Sequence, residues 1–278
     1  TVMMNIPSGG LIADFTLSAS GTLFYTKLGP STYRAHWVDR AGTPTVMRAD
    51  LLGRHGGITL SPDGSRVAMA IDDDLWMVPL DQSPPLRLTT GAVAMGGRAA
   101  WAPDGKTVYF AGIQGGAFST LLQVLIGEGS QPKAVPMGEK RQVFSGTPSP
   151  DGTWIASAER DQELWLFHTK TAEKRRVAFS PKRDFDSPEL AWSPDGQWLA
   201  YVNSADNGYG VIWLYSVAED RTVPITSERT DSNHAAWSPD GKWLYFLSAR
   251  ALQSTVSAPW GLRQPEPFFD RTVKIYQL

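Results

Sequence analysis

Short apolar blocks, each preceded by a turn-forming cluster, recur along this chain. The blocks read Arg66-Val67-Ala68-Met69-Ala70, Thr107-Val108-Tyr109-Phe110, Trp154-Ile155-Ala156-Ser157, Trp198-Leu199-Ala200-Tyr201 and Trp243-Leu244-Tyr245-Phe246. Their β-branched and aromatic content predicts strands. The apolar positions are nearly continuous rather than alternating, as in strands buried on both faces. The preceding clusters share one signature: Leu60-Ser61-Pro62-Asp63-Gly64, Trp101-Ala102-Pro103-Asp104-Gly105, Pro148-Ser149-Pro150-Asp151-Gly152, Trp192-Ser193-Pro194-Asp195-Gly196 and Trp237-Ser238-Pro239-Asp240-Gly241, with a decayed copy at Leu17-Ser18-Ala19-Ser20-Gly21. Proline sets φ at the first central position, the Asp side chain favours the turn, and Gly supplies the residue with positive φ. Each copy therefore predicts a strand A, a tight turn and a strand B. Strand C recurs at residues 74–78, 163–167 and 211–215, and a weaker strand D at 85–89 and 222–226. Prolines in strand D fit a sheet edge, where a missing N–H costs little.

The turn markers Ser20, Asp63, Asp104, Asp151, Asp195 and Asp240 follow one another at intervals of 41 to 47 residues. That period suits four short antiparallel strands per repeat, the size of a propeller blade. The fold class predicted is all-β: one six-bladed β-propeller of four-stranded antiparallel blades. The blades fall at about 12–50, 55–92, 97–139, 143–180, 188–228 and 233–278. The last holds an insertion at about 249–270 before its strand C at 273–276, and its strand D is expected from residues 1–7. Closing the ring with the N-terminal strand removes an open edge that would invite aggregation. Ten of the eleven tryptophans occupy three repeat positions and read as packing between blades; Trp260 stands outside the pattern.

A chain of 278 residues suits one such domain. Cysteine is absent, which excludes thiol catalysis, thiolate zinc sites and disulfides. A net charge of −2 lacks the long-range positive field of a nucleic-acid binder. No apolar run approaches the ~18 residues of a membrane span. The start carries no basic region followed by an apolar stretch, so no signal peptide is visible and the compartment stays open between cytoplasm and periplasm. Without an initiator Met, the chain reads as a processed form or an excised piece of something larger.

Enzyme signatures are few. There is no GxSxG elbow and no HExxH, and the four histidines, 36, 55, 168 and 234, are far apart. Gly105-Lys106-Thr107 sits in a hairpin rather than before a helix, and Asp72-Asp73-Asp74 reads as a solvated hairpin tip. Lys174-Arg175-Arg176 with Lys182-Arg183 reads as a soluble outer edge, because no aromatics for stacking bases are interleaved with it. Six residues before each marker lie Asp14, Gly57, Arg98, Ser145, Glu189 and His234, one per blade near the start of the innermost strand, with His55 and Asn233 close by. This mixed-charge ring predicts a ligand site at the channel mouth, Arg98 pairing a carboxylate and Asp14 or Glu189 an amine. The competing reading is a water-filled tunnel with a polar lining. In the insertion, Trp260, Arg263, Phe268 and Phe269 suit a partner interface, held extended by prolines; the alternative is a loop folded back on its own blade. No metal or cofactor is expected.

The SPDG blades resemble the TolB-like group of WD-type propellers. From about residue 153 onward the chain is most similar to the propeller of tricorn-like serine proteases. Asp161-Gln162-Glu163-Leu164-Trp165-Leu166, Ile212-Trp213-Leu214-Tyr215-Ser216, Phe246-Leu247-Ser248-Ala249-Arg250 and Ser257-Ala258-Pro259-Trp260-Gly261-Leu262-Arg263-Gln264-Pro265-Glu266-Pro267-Phe268-Phe269-Asp270 carry the likeness. The resemblance implies a non-catalytic module that guides or filters peptides toward a separate protease core, which this chain is expected to lack. The family's matching propeller has seven blades, against six turn motifs here. The expectation is thus a peptide- or protein-binding propeller, with a protease core domain among its partners, no nucleic acid and no enzyme activity of its own. The alternatives are a stand-alone TolB-like interaction scaffold and an enzyme with its site at the channel mouth.

Overall fold

The computed structural model describes residues 15–17, 23–25, 35–48, 50, 51, 53–91, 99–113, 119–127, 131–137, 143–159, 162–171, 173–181, 190–250, 253, 254, 269, 270 and 273–278. The chain forms two compact units, Thr1–His55 and Gly56–Leu278. In the first, β1 (Phe15–Leu17) pairs with β2 (Leu23–Tyr25), and β3 (His36–Val38) with β4 (Pro44–Val46). Asp39 closes the second hairpin by accepting from the Ala41 and Thr43 N–H groups at 2.8 and 2.9 Å.

The second unit is a succession of antiparallel sheets, each built from strands consecutive in the chain. The first sheet holds β5 (His55–Leu60), β6 (Arg66–Ile71), β7 (Asp74–Pro79) and β8 (Leu86–Arg87). The next two hold β9 (Ala100–Trp101) to β12 (Lys133–Ala134), through β10 (Thr107–Gly112) and β11 (Thr120–Leu125), and β13 (Val143–Pro148) to β16 (Lys174–Phe179), through β14 (Trp154–Glu159) and β15 (Glu163–His168). The fourth holds β17 (Ala191–Trp192), β18 (Trp198–Ser204), β19 (Gly210–Ser216) and β20 (Arg221–Pro224). The last joins β21 (Ser232–Trp237), β22 (Leu244–Ser248) and β25 (Lys274–Gln277), while β23 (Gln253–Ser254) and β24 (Phe269–Asp270) pair separately. The A, B, C, D order expected from the repeat is the order observed. Residues 1–7, assigned to the last blade, lie outside the described residues, as does the closure they were to make.

The Ser-Pro-Asp-Gly turn explains why each hairpin is tight. Ser61 Oγ donates to Asp63 Oδ1 at 2.5 Å and accepts from the Arg66 N–H at 3.0 Å, while the same carboxylate accepts from the Ser65 N–H at 3.1 Å. Gly64 supplies the positive φ, +69°. Ser149, Ser193 and Ser238 repeat the arrangement with Asp151, Asp195 and Asp240 at 2.5, 2.5 and 2.6 Å. Where Ala102 replaces the serine, Asp104 instead accepts from the Thr107 N–H and Oγ1–H, at 2.9 and 3.1 Å.

These bonds hold the carboxylates ionised. The Ser61 hydroxyl, more than any other partner, lowers Asp63 to about 2, and the Ser193 and Ser238 hydroxyls do most to lower Asp195 and Asp240. At Asp151 partial burial opposes ionisation, but the Ser149 and Thr153 bonds outweigh it. A carboxylate lowered on folding stabilises the fold above its unfolded value of about 4 and loses that contribution as pH falls toward its folded value. Urea titrations should therefore show stability falling between pH 4 and pH 2, roughly the interval from the unfolded to the folded value. Replacing Ser61, Ser149, Ser193 and Ser238 together by Ala should flatten that fall; an unchanged acid limb would refute the assignment.

Successive sheets face each other across apolar clusters. Ala68, Leu75 and Met77 of the first sheet meet Trp101, Val108 and Phe110 of the second. Trp154, Leu164 and Leu166 of the third meet Trp192, Leu199 and Tyr201 of the fourth, and Val202 and Ile212 of the fourth meet Ala235, Leu244 and Phe246 of the last. The second and third sheets share the smallest described cluster, Leu121, Val143 and Ile155. All six residues of β14 are buried, the polar Ser157 and Glu159 included. The strand C residues Trp76 and Trp165 lie half-buried beneath strand D cations, with Arg87 and Lys174 at 5.9 and 5.6 Å from the rings. Trp243 is 45% exposed beside exposed Tyr245. Its counterpart Trp154 packs against Trp192, Leu199 and Tyr201 of the following sheet. Ile58 and Leu60 of β5 are also exposed.

Candidate functional site

Three of the tryptophans that precede the turn do more than pack. The Trp101 indole N–H donates to the Thr59 carbonyl of the preceding sheet at 3.1 Å, Trp192 to Thr147 at 3.0 Å, and Trp237 to Ala191 at 3.1 Å. Each bond ties an innermost strand to its neighbour four residues before that neighbour's turn Asp. The third sheet has Pro148 where the second, fourth and last have Trp and the first has Leu60, and a proline side chain has no donor. The junction between the second and third sheets therefore has no indole tie, and it is also where the described apolar cluster is smallest.

A cleft of about 180 Å³ opens beside this junction, lined by Ile58 and Thr59 of β5, Ala99 and Ala100 at β9, and Ser145, Gly146 and Thr147 of β13. Three successive innermost strands thus contribute equivalent positions, four to six residues before their turn Asp. Small side chains keep it open. A Cβ on Gly146 would stand 2.6 Å from Leu121 Cδ1 and 3.3 Å from Ile155 Cγ2, so a larger residue here would have to displace the Leu121 side chain. Ser145 is 4% exposed, and its Oγ finds no hydrogen-bond partner among the described residues. A buried hydroxyl without a partner costs stability unless something supplies one. Ile58, 49% exposed, gives the cleft an apolar lip.

Of the mouth positions expected from sequence, Gly57, Ser145 and His234 are described; Asp14, Arg98 and Glu189 lie outside the described residues. The cleft lies immediately along the strands from Gly57 and includes Ser145, whereas His234 is not among its lining residues. His234 occupies a bulge of β21 with a left-handed φ of +54°, and its register shifts between Asn233 and Ala236. Its Nδ1 lies within hydrogen-bond distance, 2.8 Å, of Asn233 Oδ1. Behind it, Asp231 Oδ1 accepts from the Gly210 N–H at 2.8 Å. His55 begins β5, with its side chain outside the description. Trp260, Arg263 and Phe268 also fall outside it, and Phe269 lies on the short strand β24. Among the described residues no three His, Asp or Glu side chains converge on a point able to hold a metal, and no helix is long and apolar enough to cross a membrane. Two signals for the cleft stood in the sequence: proline in a tryptophan position and a serine-glycine pair in an inner strand.

Stacked four-stranded antiparallel sheets, joined through their innermost strands, define a β-propeller module. The chain belongs to the family of the tricorn protease second beta propeller domain, whose pattern matches residues 56–278. No curated protein matches it in sequence. Its fold is similar to that of a protein of Agrobacterium tumefaciens assigned as TolB, with 18% identity and a TM-score of 0.60 over 89% of this chain and 83% of that one. TolB from Acinetobacter baumannii is similar at 22% identity and a TM-score of 0.55, over 68% of this chain and 47% of that one. The tricorn protease is similar at 14% identity and a TM-score of 0.61, over 95% of this chain and 28% of that much longer one.

Proposed function

We propose that this chain is a non-catalytic peptide-binding module that serves a tricorn-like protease core, holding one end of a peptide against the cleft between residues 58–59, 99–100 and 145–147. The observation that carries the reading is the Pro148 junction, where the indole tie is missing and a buried Ser145 hydroxyl has no partner among the described residues. A cleft of about 180 Å³ has room for one small side chain or a chain terminus rather than a drug-sized ligand. Membership of a protease propeller family supports peptide as the ligand class. Arg98, adjoining Ala99 in the chain, would pair a peptide carboxylate.

The test is an amide chemical-shift map of the isotopically labelled chain titrated with a tryptic digest of casein. Amides of residues 58–59, 99–100 and 145–147 should move, the peptides should stay intact by mass spectrometry, and Ile58→Trp, which fills the cleft from an exposed position, should abolish the shifts. Unmoved cleft amides would sink the binding role. Cleaved peptides, with cleavage lost on replacing one serine, would sink the non-catalytic assignment.

A further inference from the structure

The outermost strands of three sheets are short and marked by proline. β8 and β12 span two residues each and β20 four. Pro84 and Pro85 precede β8, Pro132 and Pro136 flank β12, and Pro224 ends β20. Brevity and proline are how sheet edges avoid pairing with other chains. β16 is longer: it runs six residues, Lys174–Phe179, and its flanking proline, Pro181, and its bulge at Val177 both lie at its C-terminal end, away from residues 174–176; among the described residues nothing pairs with its outer side.

Its hydrogen-bond phase changes at a bulge: Leu164 pairs with Ala178 and Trp165 with Arg176, leaving Val177 as the extra residue, so the phase at 174–176 is set from the Glu173 end. The Glu173 carbonyl accepts from the His168 N–H at 2.8 Å, and the Ser180 N–H donates to the Gln162 carbonyl at 2.9 Å, both inward toward β15. Because main-chain groups alternate along an antiparallel strand, Lys174 and Arg176 turn their own N–H and C=O outward. The Phe179 carbonyl is taken by Asn203 Nδ2 at 3.3 Å, so the open ladder is residues 174–176. Lys174 and Arg176 also share one face of the sheet. Lys174 Nζ lies 5.6 Å from the Trp165 ring, and Arg176, with 59% of its side chain exposed, meets Glu163 at 3.2 Å. Arg175 is occupied elsewhere, by Glu173 at 2.8 Å and the Val217 carbonyl at 2.8 Å.

We propose that the edge of β16 is a docking site for an extended acidic segment of a partner protein, which adds as a fifth strand beside residues 174–176. Main-chain hydrogen bonds supply the register, and Lys174 and Arg176 select carboxylates at alternate positions of the incoming strand. A second copy of this chain does not fit, because pairing two such edges sets Lys and Arg against Lys and Arg. This site is independent of the cleft: it uses the outer strand of the third sheet, not its inner one.

The experiment uses the full chain and a fluorescein-labelled peptide of three Glu-Val repeats, read by anisotropy and by amide hydrogen exchange. Binding should weaken as salt rises, and exchange at the Lys174 and Arg176 amides should slow at least about tenfold, a 1.4 kcal/mol protection. The double variant K174E/R176E should lose the acidic peptide and take a Lys-Val repeat instead, while still unfolding in a single cooperative transition. Protection at residues 145–147 alone would assign the peptide to the cleft and overturn the edge site. So would equal binding of the two peptides, equal protection by duplex DNA, or concentration-dependent self-association that protects the same amides.

Discussion

Trp192→Ala should destabilise the fold by about 3–5 kcal/mol, the range for emptying a tryptophan site in a packed core. The side chain is 9% exposed and sits in the cluster joining the third and fourth sheets, against Trp154, Leu199 and Tyr201. Its loss leaves a cavity, and it also removes the indole bond to the Thr147 carbonyl at 3.0 Å. Trp192→Phe separates the two contributions, because it keeps much of the apolar volume and deletes the donor. A neutral hydrogen bond contributes about 1 kcal/mol net, so the Phe variant should keep most of the stability that the Ala variant loses. Thermal unfolding reads both. At roughly 2–4 °C per kcal/mol for a domain of this size, the Ala variant should melt about 10 °C lower. If the two variants melt together, the indole tie carries the whole effect and cluster packing carries none.

Gly210→Ala is expected to cost about 3 kcal/mol, at the upper end for overpacking, because the obstacle is main chain. A Cβ there would lie 2.6 Å from the Ser232 carbonyl oxygen, 3.0 Å from Val202 Cγ1 and 3.2 Å from Asp231 Oδ1. Side chains can rotate away, but the Ser232 carbonyl belongs to β21 of the next sheet and can move only with its strand. The same shift would pull Asp231 from the Gly210 N–H it accepts at 2.8 Å. Gly208→Ala, two residues away, provides the contrast. Its φ of +84° strains any side chain, yet nothing lies within 4 Å of its Cβ position. It should cost only the roughly 1–2 kcal/mol of a left-handed alanine. Chemical denaturation of the two variants ranks them, and a Gly210→Ala protein as stable as Gly208→Ala would disprove the close approach.

The regular parts of the molecule were legible because their causes are local. A serine two residues before an aspartate, with glycine next, closes its own hydrogen bonds within six residues, so Ser61, Ser149, Ser193 and Ser238 announce their turns wherever they occur. The buried strands followed from their apolar runs. The functional residues were harder. His234 was picked by its offset from the turn, but its bulge and left-handed backbone arise from how β21 meets β22, which no offset encodes. Ser145 was picked the same way and does line a cleft, whereas the basic run at 174–176 was read as ordinary edge solvation.

By itself the sequence determined what each segment does with its own neighbours: where the chain turns, which strands pair in a hairpin, and that the repeats form one kind of sheet. These follow from bonds made within a few residues and from burial that favours any apolar run. Tertiary structure alone decided which differences between repeats matter. Pro148 is an unremarkable substitution until the missing indole is seen to fall between two sheets, and β16 is one outer strand among several until the others are seen to be short and proline-marked. Both depend on groups distant in the chain, whose spacing is set by packing whole sheets together and not by any local preference of the residues involved.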